Sequence, residues 1–431
     1  MQSWLTLPRS TSSSRTYHDP LHGAIVLDRR DPVEALLIQL IDTPEFQRLR
    51  RIRQLGPASL TFHGAESSRF THSLGVMAIA RRAFDGIAAR YPELLPHRAT
   101  VLCAALLHDI GHGPFSHTCE EIFSCHHERW TQRILEESDG VRSLLTGFHP
   151  DLLADILQVY QKEHPIPFVW QLVSSQLDCD RLDYLMRDSY ATGASYGKLD
   201  LDRILLALEF DPTQQILVVK QKGITAIEHY LIVRYFMYAQ IYNHPKNIAA
   251  TWILRHAFGR AQELLMLNHS PFCDDTMTVW LGGDCDRMAL AHYLAADDGV
   301  FTYHLQRWQT HPDPILADLC QRYVNRDLFK AYDVTHLSTE HQNELLTQVR
   351  QSLTGQGYPA EYYAGLRTSW SRGYTLYQRG IKLQAGTELQ ELSDRSPLVK
   401  TITQPQQRHW LICPREAMHG LPKTGYYIKP A

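Results

Sequence analysis

Five histidines fall between residues 108 and 127, and the first is followed at once by an aspartate: His108-Asp109-Ile110-Gly111-His112-Gly113-Pro114-Phe115-Ser116-His117. Imidazole beside carboxylate suits a divalent transition metal, because each offers a lone pair without a redox-active thiol. Two adjacent residues cannot fill a coordination sphere, so further ligands must come from elsewhere. His72, in Arg69-Phe70-Thr71-His72-Ser73-Leu74-Gly75, and Asp180, in Leu177-Asp178-Cys179-Asp180-Arg181-Leu182-Asp183-Tyr184, are the candidates. The bland alternative is a buried His–Asp ion pair closing the apolar run Val101 to Leu107. Burying both groups without partners is costly, and one cation would satisfy both. Singly, His72 reads as a satisfied core histidine and Asp180 as a solvated carboxylate. The order of the three segments carries the specificity.

The elements that must hold these residues are overwhelmingly helical by apolar periodicity. Asp31-Pro32 supplies a capping carboxylate and a first-turn proline for a helix through Leu40. Thr43-Pro44-Glu45 repeats the device, and that helix is expected to run to Gly56. Further helices are expected over 72–90, 97–109, 127–137, 151–162, 168–190, 200–210, 223–242 and 246–267. Later ones are expected over 285–295, 300–309, 314–323 and 339–354. Gln214 to Val219 reads as a short strand able to form a hairpin, and His409 to Cys413 alternates like a strand. The expected class is mainly α, with an N-terminal tail (1–16), a helical catalytic core (17–270) and a smaller mixed α+β C-terminal region (271–431). His112 and His117 fall in a Gly- and Pro-containing loop that can fold them back toward His108.

The 431 residues allow a large core and more than one structural unit. A formal charge of −3 gives no global basic field, so nucleic acid is not expected as a partner. Eight scattered cysteines without a C-x-x-C pair read as free thiols in a reducing compartment. No apolar stretch approaches the ~20 residues that span a bilayer, and the N-terminus lacks the order of a secretory signal, so a cytoplasmic enzyme without a membrane partner is expected.

The H…HD…D pattern resembles the HD-domain metallophosphohydrolase superfamily. Within it, the chain is similar to the deoxynucleoside triphosphate triphosphohydrolase branch, which includes the SAM-and-HD-domain dNTP hydrolase and its bacterial relatives. The likeness covers roughly residues 17–335, through Asp19-Pro20-Leu21-His22-Gly23, Asp42-Thr43-Pro44-Glu45-Phe46-Gln47-Arg48-Leu49-Arg50, the three metal motifs and Asn325-Arg326-Asp327-Leu328-Phe329-Lys330. No SAM domain is expected ahead of the helical core.

The resemblance implies that His72, His108, Asp109 and Asp180 bind a divalent ion. N₂O₂ ligation suits Fe, Mn, Ni, Co or Zn, with Mg joining on the substrate phosphates. It implies His117 as general acid, supported by His112, His127 and Glu128; the bland reading of His126-His127 is a surface pair, and function is expected of His127 only. Arg69 and Arg181 would face phosphate, with Tyr184, Arg234 and Tyr238 in the substrate pocket. Asp188 and Gln54 would bond the sugar 3′-hydroxyl, and Tyr242 would crowd the 2′ position. Tyr230 and Tyr235 read as core.

Arg48, Arg50, Arg51 and Arg53 would ordinarily be a solvated face or a satisfied charge network. The resemblance implies instead that Asp42, Gln47 and Arg50 contact a guanine nucleotide activator, although Thr16-Tyr17-His18 departs from the family pattern. A dimer or tetramer would follow. The competing readings are a phosphohydrolase of nucleoside monophosphates or phosphodiesters, and a nucleotide- or nucleic-acid-binding regulatory protein with a degenerate site.

Overall fold

Local capping chemistry sets most of the helix starts. Asp31 Oδ1 accepts from Val33 N and Glu34 N at the head of Pro32–Ile41, and Thr43 caps Pro44–Arg48. Ser68 caps Arg69–Ala88 and Asp178 caps Cys179–Thr192, the two helices that carry His72 and Asp180. The computed structural model describes residues 13–371, 373–375, 380–386 and 388–418, and among them the molecule is mainly helical, with small sheets.

Several expected boundaries move. The N-terminal tail expected over 1–16 lies outside the described residues up to residue 12, but Ser14–Asp19 is a strand paired with Gly23–Asp28. Asp19 Oδ1 accepts from Leu21 N and His22 N and so folds the turn between them. The helix expected from Thr43 to Gly56 ends at Arg48, followed by a 3₁₀ turn Leu49–Arg51. Beyond it the backbone pairs sideways instead: Gln54 N bonds Ser67 O and Arg69 N bonds Ile52 O.

The helix expected over 168–190 is two helices, Pro167–Gln171 and Cys179–Thr192, because the Asp178 carboxylate takes Ser175 N and Arg181 N and breaks the run. The one expected over 200–210 stops at Ala207, since Leu208–Asp211 pairs with Ile216–Lys220 as the expected hairpin. Ile224–Met237 ends in a π turn, Tyr238–Tyr242. The stretch expected as a loop after Gly113 contains a helix, His117–Phe123. Tyr230 is buried as expected, but Tyr235 is partly exposed and its hydroxyl donates to Gln406.

One sheet runs in the order Leu208–Asp211, Ile216–Lys220, Lys382–Ala385, Glu388–Glu391, with a parallel pairing between the second and third strands. The other places Gln406–Cys413 between Lys330–Asp333 and Gly365–Ser371. Two apolar clusters organise the molecule. One gathers the helices up to Ile241 together with Tyr374 to Val399. The other gathers Ile248 to Ala364 and Trp410 to Ala417, and reaches back for Phe115, Cys119, Cys125 and Trp130. The expectation of free thiols throughout is corrected at one pair: Cys125 and Cys285, 160 residues apart, are joined by a disulfide. Nothing local to either residue signals a partner so distant. No helix among the described residues is long and apolar enough to cross a membrane.

Candidate metal centre and cavity

His72 lies on one buried helix and His108 caps the end of another, Arg98–Leu107. His108 Nδ1 donates to the Ala105 carbonyl at 2.9 Å and His72 Nδ1 to Asp183 at 2.7 Å, so both rings turn Nε2 toward the same point. Those two nitrogens are 3.3 Å apart. Asp109 offers Oδ1 at 3.3 Å from His108 Nε2 and Oδ2 at 3.5 Å from His72 Nε2. Asp180 Oδ1 stands 3.1 Å and 3.6 Å from the two imidazole nitrogens. Ligands on metal–donor bonds of ~2.1 Å are about 3.0–3.4 Å apart, so the four side chains fit a single transition-metal ion. Burial works to lower the His72 pKa, yet bonds to Asp180 and Asp183 outweigh it and push it up to about 10. The cluster therefore draws positive charge strongly.

A second polar group adjoins the first. His112, His117, Glu120 and His127 present ligand-type atoms within 4.8 Å of one another, as His72, His108 and Asp109 also do. His112 stacks on His127 with ring centroids 3.9 Å apart. Burial, Arg69 and His127 together hold the His112 pKa well below the ordinary range, so the ring is neutral. Its Nε2 lies 3.2 Å from Asp109 Oδ1, out of line for a hydrogen bond. Glu120 bridges His117, at 3.4 Å, and His127 Nδ1. Burial pushes the Glu120 carboxyl up, but the two imidazoles outweigh it and keep it ionised. Glu120 escaped the sequence reading. Once 117–123 is a helix, its i+3 spacing from His117 becomes the signal that would have found it.

A cavity of about 420 Å³ joins both groups. His108, Asp109 and Asp180 line it, together with all four residues expected to be catalytic, His112, His117, His127 and Glu128. Of the expected substrate residues, Gln54, Arg69, Arg181, Tyr184, Asp188, Tyr238 and Tyr242 line it too. Arg234 does not: it lies over the Tyr238 ring, 5.9 Å from its centroid, and donates to Gln176 Oε1 at 2.8 Å. Every nitrogen of Arg69 already donates once, to Ser116 Oγ, Asp109 Oδ2 and Gln54 O. Tyr242 donates to Asp188 Oδ2 at 2.9 Å, while Asp188 Oδ1 and Gln54 Oε1 are buried without a hydrogen-bond partner. Arg181 is held by Asp178 and keeps an unpartnered Nε.

The arginine run behaves mostly as a satisfied charge network. Arg48 is buried and donates to the carbonyls of Ala296 and His112, while Arg51 pairs with Asp297 and Arg53 with Glu66. Arg50 differs. It is exposed, stacks 3.5 Å over the Phe70 ring and donates to Gln47 Oε1, next to Asp42, which pairs with Arg15. His126 is exposed, as expected for a surface residue.

Against known proteins, residues 69–191 match the HD domain and residues 199–280 match the HD associated region. The uncharacterized protein YwfO of Bacillus subtilis is 36% identical over 94% of this chain and 93% of its own length. The deoxynucleoside triphosphate triphosphohydrolase SAMHD1 of Danio rerio is 32% identical over 46% of this chain, a match that spans 36% of that relative. The crystal structure of a phosphohydrolase from Bacteroides thetaiotaomicron superposes with a TM-score of 0.83 at 28% identity, covering 93% of this chain and 100% of that one.

Proposed function

We propose that this chain, which belongs to the HD-domain family, is a metal-dependent deoxynucleoside triphosphate triphosphohydrolase that converts dNTP and water to deoxynucleoside and tripolyphosphate. The observation that carries this reading is the junction in one cavity of three groups: the His72-His108-Asp109-Asp180 cluster, the His112-His117-Glu120-His127 group, and a wall with two unsatisfied oxygens, Asp188 Oδ1 and Gln54 Oε1. Those oxygens suit a sugar hydroxyl, and the Tyr242 ring beside Asp188 suits exclusion of a second one.

A divalent ion of Fe, Mn, Ni, Co or Zn held by the four-residue cluster would activate water and neutralise phosphoryl charge. The protein's own groups do the rest. Arg181 brings fixed positive charge to the phosphates, whereas Arg69 holds Asp109 and the backbone around it. Water attacks the α-phosphorus, yielding a proton to solvent at the open cavity mouth, and the P–O5′ bond breaks. His117, at the exposed mouth beside Glu120, gives its proton to the leaving O5′. His112, neutral and wedged between Asp109 and His127, keeps the two groups in register.

Chromatography of the products from each dNTP tests this. Tripolyphosphate with free deoxynucleoside is expected, and His108→Ala should abolish both. Stepwise orthophosphate, or turnover only of nucleoside monophosphates or phosphodiesters, would move the protein to another branch of the phosphohydrolases.

The exposed Asp42-Gln47-Arg50 patch, with Arg15 beside it, supports a guanine nucleotide activator acting on a dimer or tetramer. Mass photometry and turnover with and without GTP or dGTP check this. Unchanged mass and rate would end it.

A further inference from the structure

Beneath the candidate metal ligands lies a layer of buried charge that the proposed reaction does not use. Asp183 has no side-chain exposure, and both its oxygens are doubly engaged. Oδ2 accepts from His72 Nδ1 at 2.7 Å and from Arg187 Nε at 2.7 Å. Oδ1 accepts from His22 Nε2 at 2.6 Å and from Arg187 Nη2 at 3.0 Å. Arg187 is held from its far side by Asp19 Oδ2 at 2.9 Å. Asp19 and His22 sit at the two ends of the N-terminal hairpin's turn, which the other Asp19 oxygen folds. Gly75 makes the fit possible: a Cβ there would stand 2.0 Å from Asp183 Oδ1 and 2.5 Å from Arg187 Nη2.

We infer that Asp183, clamped by Arg187, Asp19 and His22, fixes the tautomer of His72 and thereby the cation affinity of the cluster above it, which makes the N-terminal hairpin a working part of the metal centre. The physical reason is direct. A carboxylate accepting from Nδ1–H keeps the proton on that nitrogen, so a cation displaces the proton at Nε2 and meets a more basic lone pair there. Such an acceptor is worth having only if it cannot rotate away. Four hydrogen bonds from three side chains prevent that, and two of the clamping residues arrive from more than 150 positions earlier in the chain. Asp183 is a positioning residue: it touches the ligand, not the ion.

The inference rests on reading the four-residue cluster as a metal site, so the experiment separates the two. Cobalt(II) is titrated into the full chain and followed by its visible d–d absorption, with the His72 ring ¹⁵N shifts recorded on parallel samples loaded with diamagnetic zinc. Wild type should bind and Asp180→Ala, which removes a ligand, should not; absence of binding by wild type sinks the metal reading itself. Asp183→Asn should weaken cobalt about 100-fold and His22→Ala about 10-fold, with the His72 shifts moving away from the Nδ1–H form. If Asp183→Asn fails to fold, His22→Ala decides alone. Wild-type affinity and unchanged shifts in a folded His22→Ala protein overturn the inference while leaving the metal site standing.

Discussion

Asp188 carries its carboxyl into the cavity wall with almost no access to water. Burial pushes its pKa up to about 7, even though the Tyr242 hydroxyl works against the rise. A folded value above the unfolded one means that stability is complete at low pH and is lost as the pH climbs toward the folded value, a cost on the order of 4 kcal/mol once the group is ionised. Asp188→Asn should escape that cost, so its melting temperature should gain on wild type as the pH rises from about 4 to about 7 and hold that lead above it. As the folded carboxyl ionises around pH 7, the wild-type KM for dNTP should fall, because an ionised acceptor bonds a sugar hydroxyl more strongly than a protonated one. Parallel profiles for the two proteins would contradict this account of Asp188. At this scale the convergence of His72, His108, Asp109 and Asp180 was legible because three short motifs occur in a fixed order. Glu120 and Asp183 were not, since a carboxylate on a helix reads as solvated until its neighbours in space are known. Arg234 keeps its helical spacing from Tyr238, over whose ring its guanidinium lies, but is absent from the cavity lining and bonds Gln176 Oε1.

The loop from His108 to His117 is held through its backbone as well as by the buried side chains of Ile110 and Phe115. Arg48 donates to the His112 carbonyl, Tyr293 to that of Gly111, and Asp298 takes the Phe115 amide. Phe115 and Ser116 both have positive φ, a conformation that non-glycine residues keep only when their surroundings impose it. Gly111 packs against the His127–Glu137 helix so closely that a Cβ would stand 2.2 Å from Thr131 N and 2.3 Å from His127 O. Gly111→Ala should therefore separate the two histidine-bearing elements, costing about 3 kcal/mol by denaturant titration together with most of kcat. A variant as stable and active as wild type would show that this packing is dispensable. Helices with strong caps were readable almost to the residue, as at Asp31 and Pro245. Those cut short by a tertiary competitor were not: Asp178 broke one run, and the pairing of Leu208–Asp211 captured the end of another. The helix at His117 was hidden by the glycines and proline that precede it.

In the whole molecule the cavity lies where the two apolar clusters meet. His72, His108 and Asp180 stand on helices of the first, whereas Phe115, Cys119 and Trp130 anchor the second histidine group to the other. The Cys125–Cys285 bond ties that second group, two residues before His127, to the later part of the chain. Alkylation of the denatured, unreduced protein should therefore label six of its eight cysteines, and all eight after reduction, read as intact mass. Eight labelled in both cases would return the pair to free thiols. Neither the pairing nor the return of Tyr374 to Val399 onto the first cluster could be read from sequence, because both join residues that share no local pattern. The strand order has a consequence for how this protein is made. Gln406–Cys413 is the middle strand of its sheet, yet it leaves the ribosome after both its neighbours. Until then Lys330–Asp333 and Gly365–Ser371 each wait with a bare edge toward the missing strand, so the nascent chain passes through a sticky interval that ends only when Gln406–Cys413 has emerged.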